Sequence, residues 1–155
     1  MNPKKNIEGG TRQQIGALPF TRDNAGRIQI MLVTSRETRR WVIPKGWPMQ
    51  GKKPHRAAKL EAFEEAGLLG RVGKEPLGSY LYNKRLGTGS TVPCEVMVFP
   101  LEVKSRRSRW PEMNERERRW FSPEEAAGAV AEDGLRDLLR RMGQKANERP
   151  KVRPA

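Results

Sequence analysis

Apolar and β-branched residues first gather between Gln14 and Phe20 (QIGALPF) and again between Ile28 and Ser35 (IQIMLVTS), separated by the turn formers TRDNAGR. This pattern predicts two strands, the second well buried. Trp41, Val42 and Ile43 form a third short apolar run, halted by Pro44. The period then changes. From Pro54 to Ala66 the spacing is helical, with proline suited to the first turn and Gly67 suited to a left-handed end. Ala58, Ala62, Phe63 and Ala66 give this predicted helix a small apolar face, as close packing on a sheet requires. A strand is predicted through Tyr80 to Leu86, a hairpin turn at Gly87-Thr88-Gly89, and a long return strand, STVPCEVMVFPLEV. Pro93 and Pro100 predict that this strand is bent or lies partly at an edge. After the charged loop KSRRSRWPEMNERER come Trp120-Phe121 and then Ser122-Pro123-Glu124-Glu125, a capping box opening a helix to about Val130. Leucines at i, i+3 and i+4 predict a last helix from Leu135 to Met142. Strands on either side of one central helix, with more helix at the end, make an α+β domain.

The polar face of the central helix carries the chemistry. Glu61, Glu64 and Glu65 fall at i, i+3 and i+4, so their carboxylates share one side. Three like charges so spaced repel one another, and local helix stability does not account for them. A divalent cation does, because Mg²⁺ takes oxygen ligands and uses one or two carboxylates beside water and phosphate. On spacing alone, a solvated acidic face is the commoner explanation of such a triplet.

The surrounding residues change that balance. The stretch GWPMQGKKPHRAAKLEAFEEAGL, Gly46 to Leu68, resembles the Nudix box, G-x5-E-x7-R-E-U-x-E-E-x-G-U, at Gly46, Glu61, Glu64, Glu65, Gly67 and Leu68. Lys52, Leu60 and Ala62 depart from it. The first two stand where the family has a glutamate and an arginine that brace loop and helix. TSRETRRWVIPKGWP before the box and NERERRWFSPEEA after it resemble the diphosphoinositol polyphosphate phosphohydrolase branch and its bacterial relatives, over roughly residues 14–130. The resemblance implies the Nudix fold, a mixed sheet sandwiched between helices, and a hydrolase of phosphoanhydride bonds in diphosphoinositol or dinucleoside polyphosphates. It implies Mg²⁺, with Mn²⁺ as a substitute, held by Glu61, Glu64 and Glu65. Glu61 and Glu65 are then direct ligands, and Glu64 is a ligand or the base that deprotonates the attacking water. Backbone carbonyls around Lys45 and Gly46 complete the set in relatives. A further carboxylate often comes from a later loop, for which Glu112, Glu115 and Glu117 are the candidates. His55 reads as a capping-turn or surface residue.

Composition bounds the alternatives. Of the formal net charge of +13, residues 1–12 contribute +2 and residues 144–155 contribute +3, leaving +8 for the body. Such a surface attracts polyanions. Arg39, Arg40, Lys45, Lys52, Lys53, Lys84, Arg116 and Arg118 are the candidate phosphate-binding rim, with arginine giving forked contacts and lysine point charges. The expected partner is a small polyphosphorylated substrate, ahead of nucleic acid. The rival function is a Nudix-fold protein, weak in catalysis, that binds RNA or a signalling polyphosphate; the substitutions at Lys52 and Leu60 favour it and the intact glutamates oppose it. One cysteine, Cys94, excludes an internal disulfide, and no apolar run has the length of a membrane span. The expectation is a cytoplasmic monomer or homodimer: a flexible leader over residues 1–12, one domain over 13–143, and a basic disordered tail over 144–155.

Overall fold

The computed structural model describes residues 10–148, with side chains through Lys145. Eight strands form one mixed sheet: β1 (Arg12–Arg22), β2 (Ile28–Thr34), β3 (Trp41–Val42), β4 (Lys45–Gly46), β5 (Leu68–Val72), β6 (Gly78–Arg85), β7 (Thr91–Arg106) and β8 (Arg118–Phe121). The helices are α1 (Pro54–Ala66), α2 (Pro123–Ala129) and α3 (Asp133–Glu148). The main path is β3-β2-β1-β7-β5, with β4 on β1, β6 on β7 and β8 on β2. Only the β1–β7 pairing is parallel among these ladders.

Alternation along the strands sends side chains into two cores. Ile15, Ala17, Met31, Val33, Phe99 and Leu101 pack under α1, against Ala57, Ala58, Ala62 and Ala66. Leu18, Ile30, Leu32, Val96 and Val98 face the other way, onto Ala126, Ala127, Leu135, Leu138 and Leu139 of α2 and α3. The sandwich expected from the resemblance is thus formed, with alanines letting α1 lie close to the sheet.

β1 has divided company. Its Ile15 and Gly16 pair with Gly46 and Lys45, whereas Phe20–Arg22 pair with Ile28–Ile30. Directly opposed residues of antiparallel strands point to the same face. Gly46, opposite Ile15, therefore faces the α1 layer; Lys45, opposite Gly16, faces the α2–α3 layer.

One expectation is corrected and two are resolved. β7 is flanked over most of its length by β1 on one side and β6, then β5, on the other, but Thr91–Pro93 pair with β6 alone, so Pro93 lies at the partial edge that the sequence predicts. Pro100 fits at the change of neighbour. Pro100 accepts from the Gly73 N–H at 2.9 Å on the side away from β1, so its missing N–H falls on that side as well, between the last β6 pair at Val98 and the first β5 pair at Leu101. α3 is longer than its leucine repeat, running through Gly143 to Glu148, so residues 144–148 are helical and not tail. Gly143 packs against Pro123, where a Cβ would come within 2.8 Å, and that close crossing explains a glycine inside the helix. Residues 1–9 of the expected leader and 149–155 of the tail lie outside the described residues. His55, expected in the capping turn or at the surface, takes the first place: it is the second residue of α1, 9% exposed, with its ring 6.4 Å from Phe99.

Candidate active site

α1 begins and ends where its sequence dictates. Pro54 occupies the first turn, and Gly67 closes the helix at φ 68°, a left-handed conformation that costs glycine little. The last carbonyls of a helix have no partner within it. Here the segment before β8 and the first residue of β8 supply partners in turn: the Glu112 N–H donates to Glu64 O at 3.0 Å, Trp110 Nε1–H to Glu65 O at 3.0 Å, and Arg118 Nη1–H to Ala66 O at 2.7 Å. The glutamate turn is thereby fastened to the loop that follows β7.

Gly46 is the second fixture. A Cβ built on it would fall inside the Glu61 carboxylate, so Glu61 occupies the space that any other residue would fill. Glu65 is 6% exposed, and the half-buried Glu61 carboxyl stands close enough to raise its pKa. Burial, then the neighbouring Glu64, pushes the Glu61 carboxyl up to about 7. Burial likewise pushes Glu65 up to about 8, against the pull of Arg116. Glu64 stands half-buried beside the pair. As the side chains stand, no three acidic, histidine or cysteine groups among the described residues close on one point. Two adjacent carboxyls with raised pKa, one buried and one half-buried, nevertheless suit a hard divalent cation that keeps water and phosphate in its other positions.

Arg116 braces this pair. Its side chain is 9% exposed, donates through Nε to Glu112 at 2.7 Å and through Nη1 to Thr34 O at 3.0 Å, and approaches Glu65 at 3.5 Å. Leu60, at the position where the box has arginine, is half-buried, and Lys52 is exposed. Arg116 thus reaches the helix from the β8 side with the charge that the box lacks. Of the three late carboxylates, Glu112 reaches the glutamate face, while Glu115 and Glu117 pair outward with Arg36 at 3.3 Å and Arg39 at 3.8 Å.

The expected phosphate rim separates into different groups. Arg116 and Arg118 are internal, the latter stacked 3.9 Å over Trp110. Arg39, at φ 57°, donates to Glu115 O at 3.1 Å, and Arg40 pairs with Glu132 at 3.3 Å. Lys52 and Lys53 are exposed at the mouth of the loop. Lys84 lies 5.9 Å over Trp47. Lys45 lies 5.1 Å over Tyr82, and burial, opposed chiefly by Glu65, lowers its ammonium to about 8. Sequence reasoning missed Glu132; an acid in a short interhelical loop carries no signal of burial. A recess of about 790 Å³ lies away from the glutamates, between Arg22–Gln29 and Ser122–Glu124 with Arg140.

Comparison with known proteins agrees with this architecture. Residues 11–142 match the model of the NUDIX domain. The chain is 30% identical over 138 residues to "Nudix hydrolase 13, mitochondrial" of Arabidopsis thaliana, covering 81% of this chain and 66% of that protein. It is 28% identical over 119 residues to "Diphosphoinositol polyphosphate phosphohydrolase 3-beta" of Bos taurus, covering 76% of this chain and 68% of that one. Its fold superimposes on a C. elegans Ap4A hydrolase binary complex with a TM-score of 0.64 at 19% identity, over 87% of this chain and 97% of the other. On the strength of the domain match, the plant relative and the shared fold, the chain belongs to the NUDIX domain family, among the Nudix hydrolases.

Proposed function

We propose that the protein hydrolyses phosphoanhydride bonds of a polyphosphorylated small molecule, a dinucleoside or diphosphoinositol polyphosphate, with Mg²⁺ (or Mn²⁺) held by Glu61 and Glu65 and completed by Glu64. The observation that carries this reading is the Glu61–Glu65 pair, the first half-buried and seated on Gly46, the second buried. A pure binder of polyanions gains nothing from two acids drawn out of water side by side, whereas a bound divalent cation would neutralise phosphate oxygens and acidify a water. Glu64, beside this pair, takes the proton from the attacking water. Lys45, Lys52, Lys53 and Lys84 hold the phosphates, and Arg39 and Arg40 reach them from the β2–β3 turn. Arg116 and Arg118 act from inside, holding Glu65 and the end of α1 in place. The free, buried Cys94 supports a reducing, cytoplasmic setting. No helix among the described residues is long and apolar enough to cross a membrane.

The experiment is phosphate release from diadenosine and diphosphoinositol polyphosphates with and without Mg²⁺, in the wild type, Glu64→Gln and Glu65→Gln. Turnover should require the metal and drop by about 10²-fold or more in both variants with the fold intact. Wild-type turnover in both would remove the assignment.

A further inference from the structure

Glu132 sits in the three-residue loop between α2 and α3, 8% exposed at the side chain. Oε2 accepts from Arg40 at 3.3 Å, but the other oxygen, Oε1, is buried without a hydrogen-bond partner in the protein. Buried carboxylate oxygens are seldom left so. The loop is not free to turn away, because Gly134 packs on Tyr80, where a Cβ would come within 2.7 Å. Tyr82, next on that face of β6, lies beneath Lys45 and donates to Gln14 at 2.6 Å. Through Gly134, Tyr80 and Tyr82, whose rings lie 6.2 Å apart, the Glu132 loop shares with Lys45 the α2–α3 face of the sheet, while Gly46 faces the glutamates of α1.

We infer that Glu132 is a specificity residue: its Oε1 accepts a hydrogen bond from a hydroxyl or amino group on the organic part of the substrate, which selects nucleoside polyphosphates over fully phosphorylated inositols. This rests on the polyphosphate reading above and chooses within it. A nucleoside brings sugar hydroxyls and, in adenine, an amino group. A fully phosphorylated inositol ring has no free hydroxyl and sets further negative charge beside a carboxylate whose one cation is already engaged. A site that must satisfy a buried polar group discriminates strongly against a ligand that lacks the matching donor.

The test is equilibrium binding, without metal and therefore without turnover, of diadenosine pentaphosphate and inositol hexakisphosphate to the wild type and to Glu132→Gln. The amide keeps the shape and the contact to Arg40 but turns the unpaired acceptor into a donor. Diadenosine pentaphosphate should weaken by about tenfold, the scale of one hydrogen bond, and inositol hexakisphosphate should be unchanged or tighter. Equal losses for both, or no change in either, would overturn the inference. Should Glu132→Gln not fold, the wild type decides: diadenosine pentaphosphate must bind about tenfold more tightly than inorganic pentapolyphosphate, and equal affinities overturn the inference. A wild type that shows this selectivity but hydrolyses nothing with Mg²⁺ would remove the hydrolase reading and leave Glu132 its role. Hydrolysis with no such selectivity would do the reverse.

Discussion

The Glu61 carboxylate rests on the bare backbone of Gly46, in the space a Cβ would take. The contact ties α1 to β4, so the position of the Glu61 carboxylate is set by a strand only two residues long. Gly46→Ala should displace Glu61 while leaving both hydrophobic cores untouched. The expected outcome is a loss of metal-dependent turnover of about 10²-fold, the order that a misplacement of 1 Å costs, with little change in unfolding temperature. Steady-state kinetics beside thermal unfolding checks it, and turnover near wild type would show that Glu61 can move without consequence.

Arg116 is the internal cation of the site. Replacing it with methionine keeps most of the volume and leaves Glu112 and Glu65 without their counter-charge. The cost is expected to be about 2 kcal/mol, below the usual range for halving a buried ion pair because Glu65 can take up a proton. Lys52→Ala, on the exposed loop, should stay within about 0.5 kcal/mol of wild type. Denaturant unfolding of both variants measures the contrast. Equal effects would place Arg116 on the surface in solution.

Proton linkage gives a third expectation. Glu61 and Glu65 rise from 4.5 to about 7 and about 8 on folding, so between these limits the folded chain holds more protons than the unfolded one. Their contribution to stability is complete below pH 4.5 and is lost as pH rises through 7 to 8. Lys45, lowered from 10.5 to about 8, adds the opposite slope above pH 8. In the presence of a chelator, the melting temperature should therefore fall between pH 5.5 and 8. Saturating Mg²⁺ should reverse that trend, since the ion displaces the protons. A chelated protein that gains stability over this interval would contradict the raised carboxyls.

Lys52 and Lys53 are exposed, so the phosphate contacts proposed for them would run through water and be sensitive to screening. Raising ionic strength from about 0.01 to 0.15 M shortens the Debye length from about 30 to about 8 Å. KM for a polyphosphate should rise over this range, and the double variant Lys52→Gln, Lys53→Gln should both raise KM at low salt and flatten the salt dependence. An unchanged slope would place these lysines away from the phosphates.

The elements legible in the sequence are those whose signals are local. α1 runs from Pro54 to Ala66 as its proline, glycine and alanine spacing implies, and Ser122 with Glu125 forms the capping box, both hydrogen bonds present. β5 carries no strand pattern, because Gly70 and Gly73 interrupt its apolar residues as they would in a loop. Gly70 is in fact demanded by β7, 32 residues away: a Cβ there would collide with the Glu102 carbonyl, at an irregularity in the ladder. β4 has no pattern of its own and exists because β1 pairs with it. At the site, one helix face declared the glutamates. The roles of Arg116, Arg118 and Glu132 depended on which distant backbone or acid each would meet. Basic residues in a run look alike until their partners are known.

Because β4 turns Gly46 to one layer and Lys45 to the other, the proposed bond cleavage and the inferred ligand choice fall on opposite sides of a single backbone step. The α2–α3 loop can be rewritten without disturbing the carboxylates under α1, and the glutamates can stay fixed while the loop drifts. A descendant of this chain can change diet without relearning how to cut.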